Sequence, residues 1–278
     1  MSNLPAALPC GRPETMKTSY ESLEIERTGA CATVWMNRPE VFNAFNEGLI
    51  ADLTEAFTSL EADATVRVVV LAGRGRHFSA GADLHWMQRA SVSGPAENLS
   101  DARRFADMLR TLAQLSKPTI ARVHGLALGG GTGLVAACDM AVATNDAVFA
   151  TSEVHFGIIP AVISPYVLRA IGPRQALRYF QSAERISVET ALYIGLIHEV
   201  QPAEQIDAWV GTLVQALIKG APNAQTAAKA LIASISGRVI DSTLIEETAQ
   251  RIAVQRTTPE ALEGIDSFLA KRAPAWAA

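Results

Sequence analysis

Glycine occupies positions 129, 130, 131 and 133 of the stretch GGGTGLVAACD, directly after the apolar run TIARVHGLAL. Four glycines in five positions give up much backbone entropy on folding, so something there needs bare main chain. A phosphate cradle would require a lysine and a hydroxyl residue after the last glycine, where Leu134 and Val135 stand instead. A dinucleotide turn is matched in letters by Gly131, Gly133 and Ala136. It would then need a full helix, a second strand and an acidic residue, yet only about five residues separate Gly133 from CDMAVAT. The third use is a seat for a developing negative oxygen: a glycine turn opening a helix exposes unpaired N–H groups at the positive end of the helix dipole. Such a seat usually wants two donors. FSAGADL at 78–84, with small residues around Gly81, supplies a second turn of the same type. Losing one donor of this kind costs about 10²–10³ in rate. Taken one at a time, either loop also reads as an ordinary tight turn.

The elements that must hold these turns follow from patterning. SYESLEIER and ACATVWM, parted by Thr28 and Gly29, read as an opening hairpin. Asn46 suits the N-cap of a helix through about Asp63, with Leu49, Ile50, Leu53, Ala56, Phe57 and Leu60 at helical spacing. The all-apolar run Val68 to Leu71 predicts a strand covered on both faces. After FSAGADL, a helix starting near Ala82 carries Phe105, Leu109, Leu112 and Leu115, and Pro118 opens the strand PTIARV. CDMAVAT and AVFAT read as two further strands, an α/β order. Beyond Pro160 the strand signal nearly vanishes. Ser164 reads as a cap with Pro165 at the first helical position, and helices are expected near 173–181, 187–194, 203–219, 222–236, 242–256 and 258–272. The expected division is a flexible leader over 1–16, an α/β core over 17–200 and a helical C-terminal region over 201–278.

Composition narrows the function classes. The chain has 278 residues, 49% hydrophobic and 19% charged, the balance of a globular protein rather than a disordered one. Its 24 basic and 28 acidic residues are intermixed and sum to −4, so there is no basic field for nucleic acid. No apolar run reaches the roughly 18 residues of a membrane span, and the N-terminal residues lack the pattern of a secretory signal; a cytoplasmic protein is expected. Three scattered cysteines, Cys10, Cys31 and Cys138, signal neither a disulfide framework nor a zinc cluster and are expected to be reduced and mostly buried.

FSAGADL, HGLALGGGTGLVAACD and SEVHFGIIPA together, over roughly residues 19–272, make the sequence resemble the crotonase family of enoyl-CoA hydratases and isomerases. The resemblance implies an α/β spiral of β-β-α units with a helical C-terminal region that packs around a trimer, commonly a dimer of trimers. It implies an acyl-CoA thioester as substrate and no cofactor or metal besides the CoA that the substrate carries. The amides of Ala82 and Gly130 would hold the thioester oxygen. Main chain around Ala80, Asp83 and Leu84, and the loop near Ala44, would contact CoA, and Gly133 would border the substrate.

Hydratases of this family usually carry two glutamates. The one in SEVHFG is present as Glu153; the position of the other is Gly133, where this sequence departs. Hydration of a 2-enoyl thioester places water's oxygen on C3 and a proton on C2, and a positioned carboxylate moving such protons is worth about 10²–10⁴. Val154, Phe156, Ile158 and Ile159 around Glu153 would desolvate it and raise its pKa, although the letters alone better suit a surface glutamate, and it is the resemblance that singles Glu153 out. The departure keeps open a double-bond isomerase, which shuttles one proton and activates no water, and a silent acyl-CoA binder. GADLHWM, GLVAACD and FATSEVHFGIIPAVISPYVLRAIG further resemble hydratases of 3-methylglutaconyl-CoA or its isohexenyl analogue. Such substrates carry a distal carboxylate, for which His85, His124, His155 and Arg89 are candidate partners by neighbourhood. Arg74, Arg76, His77, Lys271 and Arg272 are candidates for the CoA phosphates. A serine hydrolase built on Ser79 with His77 or His124 is the rival from another class, without a G-x-S-x-G elbow to support it.

Overall fold

The computed structural model describes residues 20–277. The leader expected over 1–16, and Cys10 within it, lie outside the described residues.

The opening hairpin pairs β1 (Leu23–Thr28) with β2 (Cys31–Met36) antiparallel, and Asn46 caps α1 (Glu47–Ala62) by accepting the Leu49 amide at 2.8 Å. Next come β3 (Val68–Gly73), α2 (Leu84–Val92), α3 (Pro95–Gln114), β4 (Thr119–Val123), β5 (Leu126–Leu128) and α4 (Gly130–Ala137). They are followed by β6 (Met140–Thr144), β7 (Val148–Ala150), α5 (Ser164–Ser182), β8 (Ile186–Ser187), α6 (Val188–Tyr193) and β9 (Glu199–Gln201). Helices α7 (Ile206–Ile218), α8 (Pro222–Ile235), α9 (Ser242–Gln255) and α10 (Pro259–Leu269) close the chain.

One sheet has the order β1-β2-β3-β4-β6-β9, parallel from β2 onward, and a second has the order β5-β7-β8. The chain visits the first sheet, then the second, then a helix: β4-β5-α4 and β6-β7-α5 each make such a turn. After β3 the visit to the second sheet shrinks to one bridge, Ser79 to Ala127, before α2 and α3. This is the expected α/β spiral of β-β-α units.

Alternation in β3 explains its wholly apolar letters. Val69 and Leu71 join the core that also holds Leu49, Leu53 and Phe57 of α1 and Leu109 of α3. Val68 and Val70 face the other way, onto Ile206, Val210 and Val214 of α7. Burying each such side chain contributes about 1.5–3 kcal/mol, so both faces must be covered.

Local differences from the sequence reading have identifiable causes. The single helix expected after FSAGADL is two, broken where Ser93 and Gly94 are extended and Pro95 starts α3. The first of them starts at Leu84 rather than near Ala82, because Asp83 takes the N-cap and accepts the amides of His85 at 2.9 Å and Trp86 at 3.3 Å. Ser164 is the first residue of α5 instead of its cap, and Gly172, with φ of 72°, kinks that helix. The short strands β8 and β9 are additions that patterning did not show. Their two and three residues carry too little alternation to register.

Asp139, just after α4, accepts the Thr119 amide at 2.9 Å and its hydroxyl at 3.0 Å, and pairs with Lys229 of α8 at 2.8 Å. The glycine helix is thereby tied to the C-terminal helices. Cys31 and Cys138 are buried free thiols, and burial pushes the Cys138 thiol up to about 12. Among the described residues no helix is long and apolar enough to cross a membrane.

Candidate active site

Four separate segments meet at a cavity of about 480 Å³. The first is the FSAGADL loop. Phe45 donates to the Gly81 carbonyl at 2.7 Å and accepts from the Asp83 amide at 2.8 Å, a one-residue parallel bridge centred on Ala82. Along extended chain successive amides point to opposite sides, so the Ala82 N–H faces away from Phe45. It has no hydrogen-bond partner among the described residues.

The second segment is the glycine run. Gly129 precedes α4 with φ of 50°, and its carbonyl accepts the Gly133 amide at 3.0 Å. As the first residue of the helix, Gly130 has no carbonyl one turn back, and its amide is left over. A Cβ on Gly81, whose φ is 90°, would lie 2.9 Å from the Leu128 carbonyl oxygen, so glycine there lets the two turns touch. Ala82 and Gly130 both line the cavity, each with a spare donor.

Glu153, the third contribution, begins a 3₁₀ turn, Glu153–Phe156, and also lines the cavity. Its Oε1 lies beside Gly129, where a Cβ would come within 3.2 Å, and its Oε2 is buried without a hydrogen-bond partner among the described residues. Burial pushes the carboxyl pKa above its ordinary value, and its own backbone amide offsets this only in part.

The fourth segment is the far wall, made by α2 and α3. Phe105 packs tilted on Phe45 with ring centroids 5.2 Å apart and edge-on to Trp86 at 6.5 Å. Asn98 and Asp101 also face the cavity, and the Trp86 indole N–H donates to Asp101 Oδ2 at 3.3 Å. The sequence reading missed both polar residues, which sit on the polar side of a helix that letters assign to solvent. It read Phe105 as core, although this side chain is also part of the wall.

Of the expected contact groups, Ala80 and Leu84 line the cavity, whereas Ala44, Asp83 and Gly133 do not. Ala44 is held by its carbonyl, which accepts from the Arg38 guanidinium. Burial opposes the charge on Asp83, but the Trp86 amide, the Arg38 guanidinium and the His85 amide outweigh it and hold its pKa below the ordinary value. Gly133 is fully buried, and a Cβ there would overlap Ile163, 2.3 Å from Cγ2 and 2.8 Å from Cβ. The space where a second carboxylate is expected is filled by an isoleucine from the start of α5.

None of the candidate partners for a distal carboxylate lines the cavity. His85 and His155 are exposed, and Arg89 pairs with Glu47 at 2.8 Å. His124 bonds the Gly75 carbonyl at 2.9 Å and the Arg122 guanidinium at 3.0 Å. Among the CoA-phosphate candidates, Arg74 is engaged by Glu24 and Glu26 and stacks on Trp35, and Arg272 pairs with Glu263. The serine-hydrolase rival fails on geometry. The Ser79 hydroxyl is buried and donates to the Asn43 carbonyl at 2.9 Å, while His77 Nδ1 accepts the Leu126 amide at 3.2 Å.

The family model for enoyl-CoA hydratase/isomerase matches residues 26–278. The crotonyl-CoA hydratase of Syntrophomonas wolfei is 30% identical over 260 residues, covering 91% of this chain and 97% of the relative. The 2,3-dehydroadipyl-CoA hydratase of Escherichia coli is 31% identical over 253 residues, covering 91% and 97%. A crystal structure of an enoyl-CoA hydratase from Shewanella pealeana superposes with a TM-score of 0.91 at 35% identity, over 96% of this chain and all of that one.

Proposed function

Because the chain belongs to the enoyl-CoA hydratase/isomerase family, we propose that it adds water across the 2,3 double bond of a 2-enoyl-CoA thioester, with Glu153 moving the protons. The observation that carries this reading is the meeting, in one cavity, of a half-buried glutamate whose Oε2 is enclosed without a hydrogen-bond partner and two spare main-chain donors on touching turns. The Glu153 carboxylate removes a proton from water as its oxygen bonds C3. The electron pair of the double bond moves through C2 to the thioester oxygen, where the Ala82 and Gly130 amides receive the charge. Glu153, now an acid, returns its proton to C2, so the thioester gains one water and the carboxylate is restored. Ala80 and Leu84 border the thioester and CoA end, with Ala44 and Asp83 shaping the loops that present them.

A second reading is favoured by one packing fact. With Ile163 filling the space beside Gly133, Glu153 is the carboxylate left at the two glycine turns, and a single one suffices for moving a double bond between C3 and C2. Mass spectrometry of the products from crotonyl-CoA and a 3-enoyl-CoA separates the two: hydration is expected to add the mass of water. Conversion of the 3-enoyl ester alone, at unchanged mass, would establish isomerisation instead.

A distal carboxylate, as in 3-methylglutaconyl-CoA, meets no lysine, arginine or histidine among the lining residues, and an uncharged acyl group is the better occupant. The C-terminal helices support self-association into a trimer or hexamer. Phe268, Leu269, Ile252 and Val254 are among the large apolar side chains they leave at least half exposed. Light scattering is expected to give a mass of three or six chains; a monomer at micromolar concentration would refute this.

A further inference from the structure

The far wall of the cavity has a charge and hydrogen-bond pattern that the reaction itself does not use. Asp101 and Asn98, one turn apart on α3, both line it. The lining side chains of α2 and α3 leave acceptors and no spare donor; the uncommitted hydroxyl among the lining residues, Ser152, lies next to Glu153 instead. The Asn98 amide group donates to the Ala90 carbonyl at 3.0 Å and the Ser93 carbonyl at 3.1 Å. The Trp86 indole N–H is spent on Asp101. Arg104 holds Asp101 Oδ1, is about half exposed and is not part of the lining. Its guanidinium also bonds Ser100, so it is fixed on the helix surface.

Resting on the acyl-CoA reading above, we propose that Asp101 is a specificity-determining residue that restricts the acyl group to chains without a terminal carboxylate. An entering carboxylate would lose its water beside Asp101 and Glu153, with no cation in the lining to replace that water. In an apolar cavity such uncompensated charge is strongly disfavoured. A plain hydrocarbon end meets Phe105 and Trp86 at no such cost, and a chain ending in a hydroxyl has acceptors to meet. The wall thus rejects one class of substrate by repulsion rather than by selecting another through tight contacts.

The test compares two six-carbon esters differing only at the far end, 2-hexenoyl-CoA and its terminally carboxylated counterpart 2,3-dehydroadipyl-CoA. The wild-type ratio of kcat/KM, neutral over carboxylated, is expected to be about tenfold or more. In Asp101→Asn, which keeps an acceptor for the Trp86 indole while removing the charge and leaving Arg104 on Ser100, that ratio is expected to fall about threefold or more. Calorimetry with the saturated pair, hexanoyl-CoA and adipoyl-CoA, reads the same discrimination as a ratio of Kd values, whatever reaction the protein runs. A wild-type ratio at or below one, or an Asp101→Asn ratio equal to wild type, would overturn the proposal. Turnover of neither enoyl ester, with the binding ratio intact, would overturn the hydratase reading and leave the specificity assignment standing.

Discussion

Glu153→Gln is expected to lower kcat by about two orders of magnitude or more while CoA-ester affinity stays within a few-fold. The amide keeps the shape and polarity of the side chain but can neither take a proton from water nor deliver one to carbon. In the proposed mechanism binding rests on other groups, the Ala82 and Gly130 amides and the apolar wall, so KM is not the constant expected to move. Turnover within a few-fold of wild type would remove Glu153 from the chemistry.

The pH dependence has a definite sign. In the proposed mechanism the carboxylate activates water, and burial raises the Glu153 pKa, so wild-type activity is expected to fall as pH drops through a value above the ordinary glutamate range. The same shift acts on stability in the opposite sense. Between the ordinary pKa and the raised one, the folded state binds more protons than the unfolded state, and stability therefore falls as pH rises through that window. Glutamine has no proton to lose. The variant is thus expected to match wild type below the window and to exceed it in urea midpoint at pH 7. Loss of activity together with gain of stability would mark Glu153 as a group held ionised at the fold's expense.

Gly133→Ala is expected to destabilise the protein by about 2–3 kcal/mol, although alanine normally favours a helix over glycine by about 1 kcal/mol. The new methyl would lie 2.3 Å from Ile163 Cγ2 and 2.8 Å from its Cβ, and both residues are enclosed. Trimming Ile163 to alanine leaves the second overlap, so the informative partner is Ile163→Gly. In that background Gly133→Ala is expected to be neutral or stabilising, a coupling read from urea denaturation of the four proteins of a double-mutant cycle. Equal costs in both backgrounds would show that the two residues do not compete for one space. A glutamate at 133, larger by several atoms, has no room while Ile163 stays where it is.

Both variants show where sequence reading succeeds. The Asn46 cap, the doubly covered strand at Val68, the strand after Pro118 and the glycine turn at Gly130 rest on local rules, and the structure contains each. Glu153 could be picked out only through the family resemblance, since its letters among adjoining apolar neighbours suit a surface glutamate better. The absence of a carboxylate at 133 could be read, but its cause could not. Ile163 lies thirty positions away and reaches Gly133 only because α5 packs on α4. Asp101 was hidden for a related reason: a charged residue on an amphipathic helix reads as solvated unless the partner facing it is known. Asp83 carried the opposite risk. Its place in a loop marked for ligand contact masked an ordinary helix cap.

The division of the cavity between segments has a consequence for how such a protein changes over time. The spare amides depend on bridges and turns stitched together at Phe45, Gly81 and Leu128, where even a methyl on Gly81 would collide with the Leu128 carbonyl. Trp86, Asn98 and Asp101 hang instead on α2 and α3, whose break at Gly94 gives each helix its own start and end. Phe105, which abuts Gly130, is where the two parts meet. Substitution along one pair of helices can therefore reshape the far wall without touching the turns that present the spare amides. The fold separates a tightly stitched half from one with room to vary, and Phe105 stands between them.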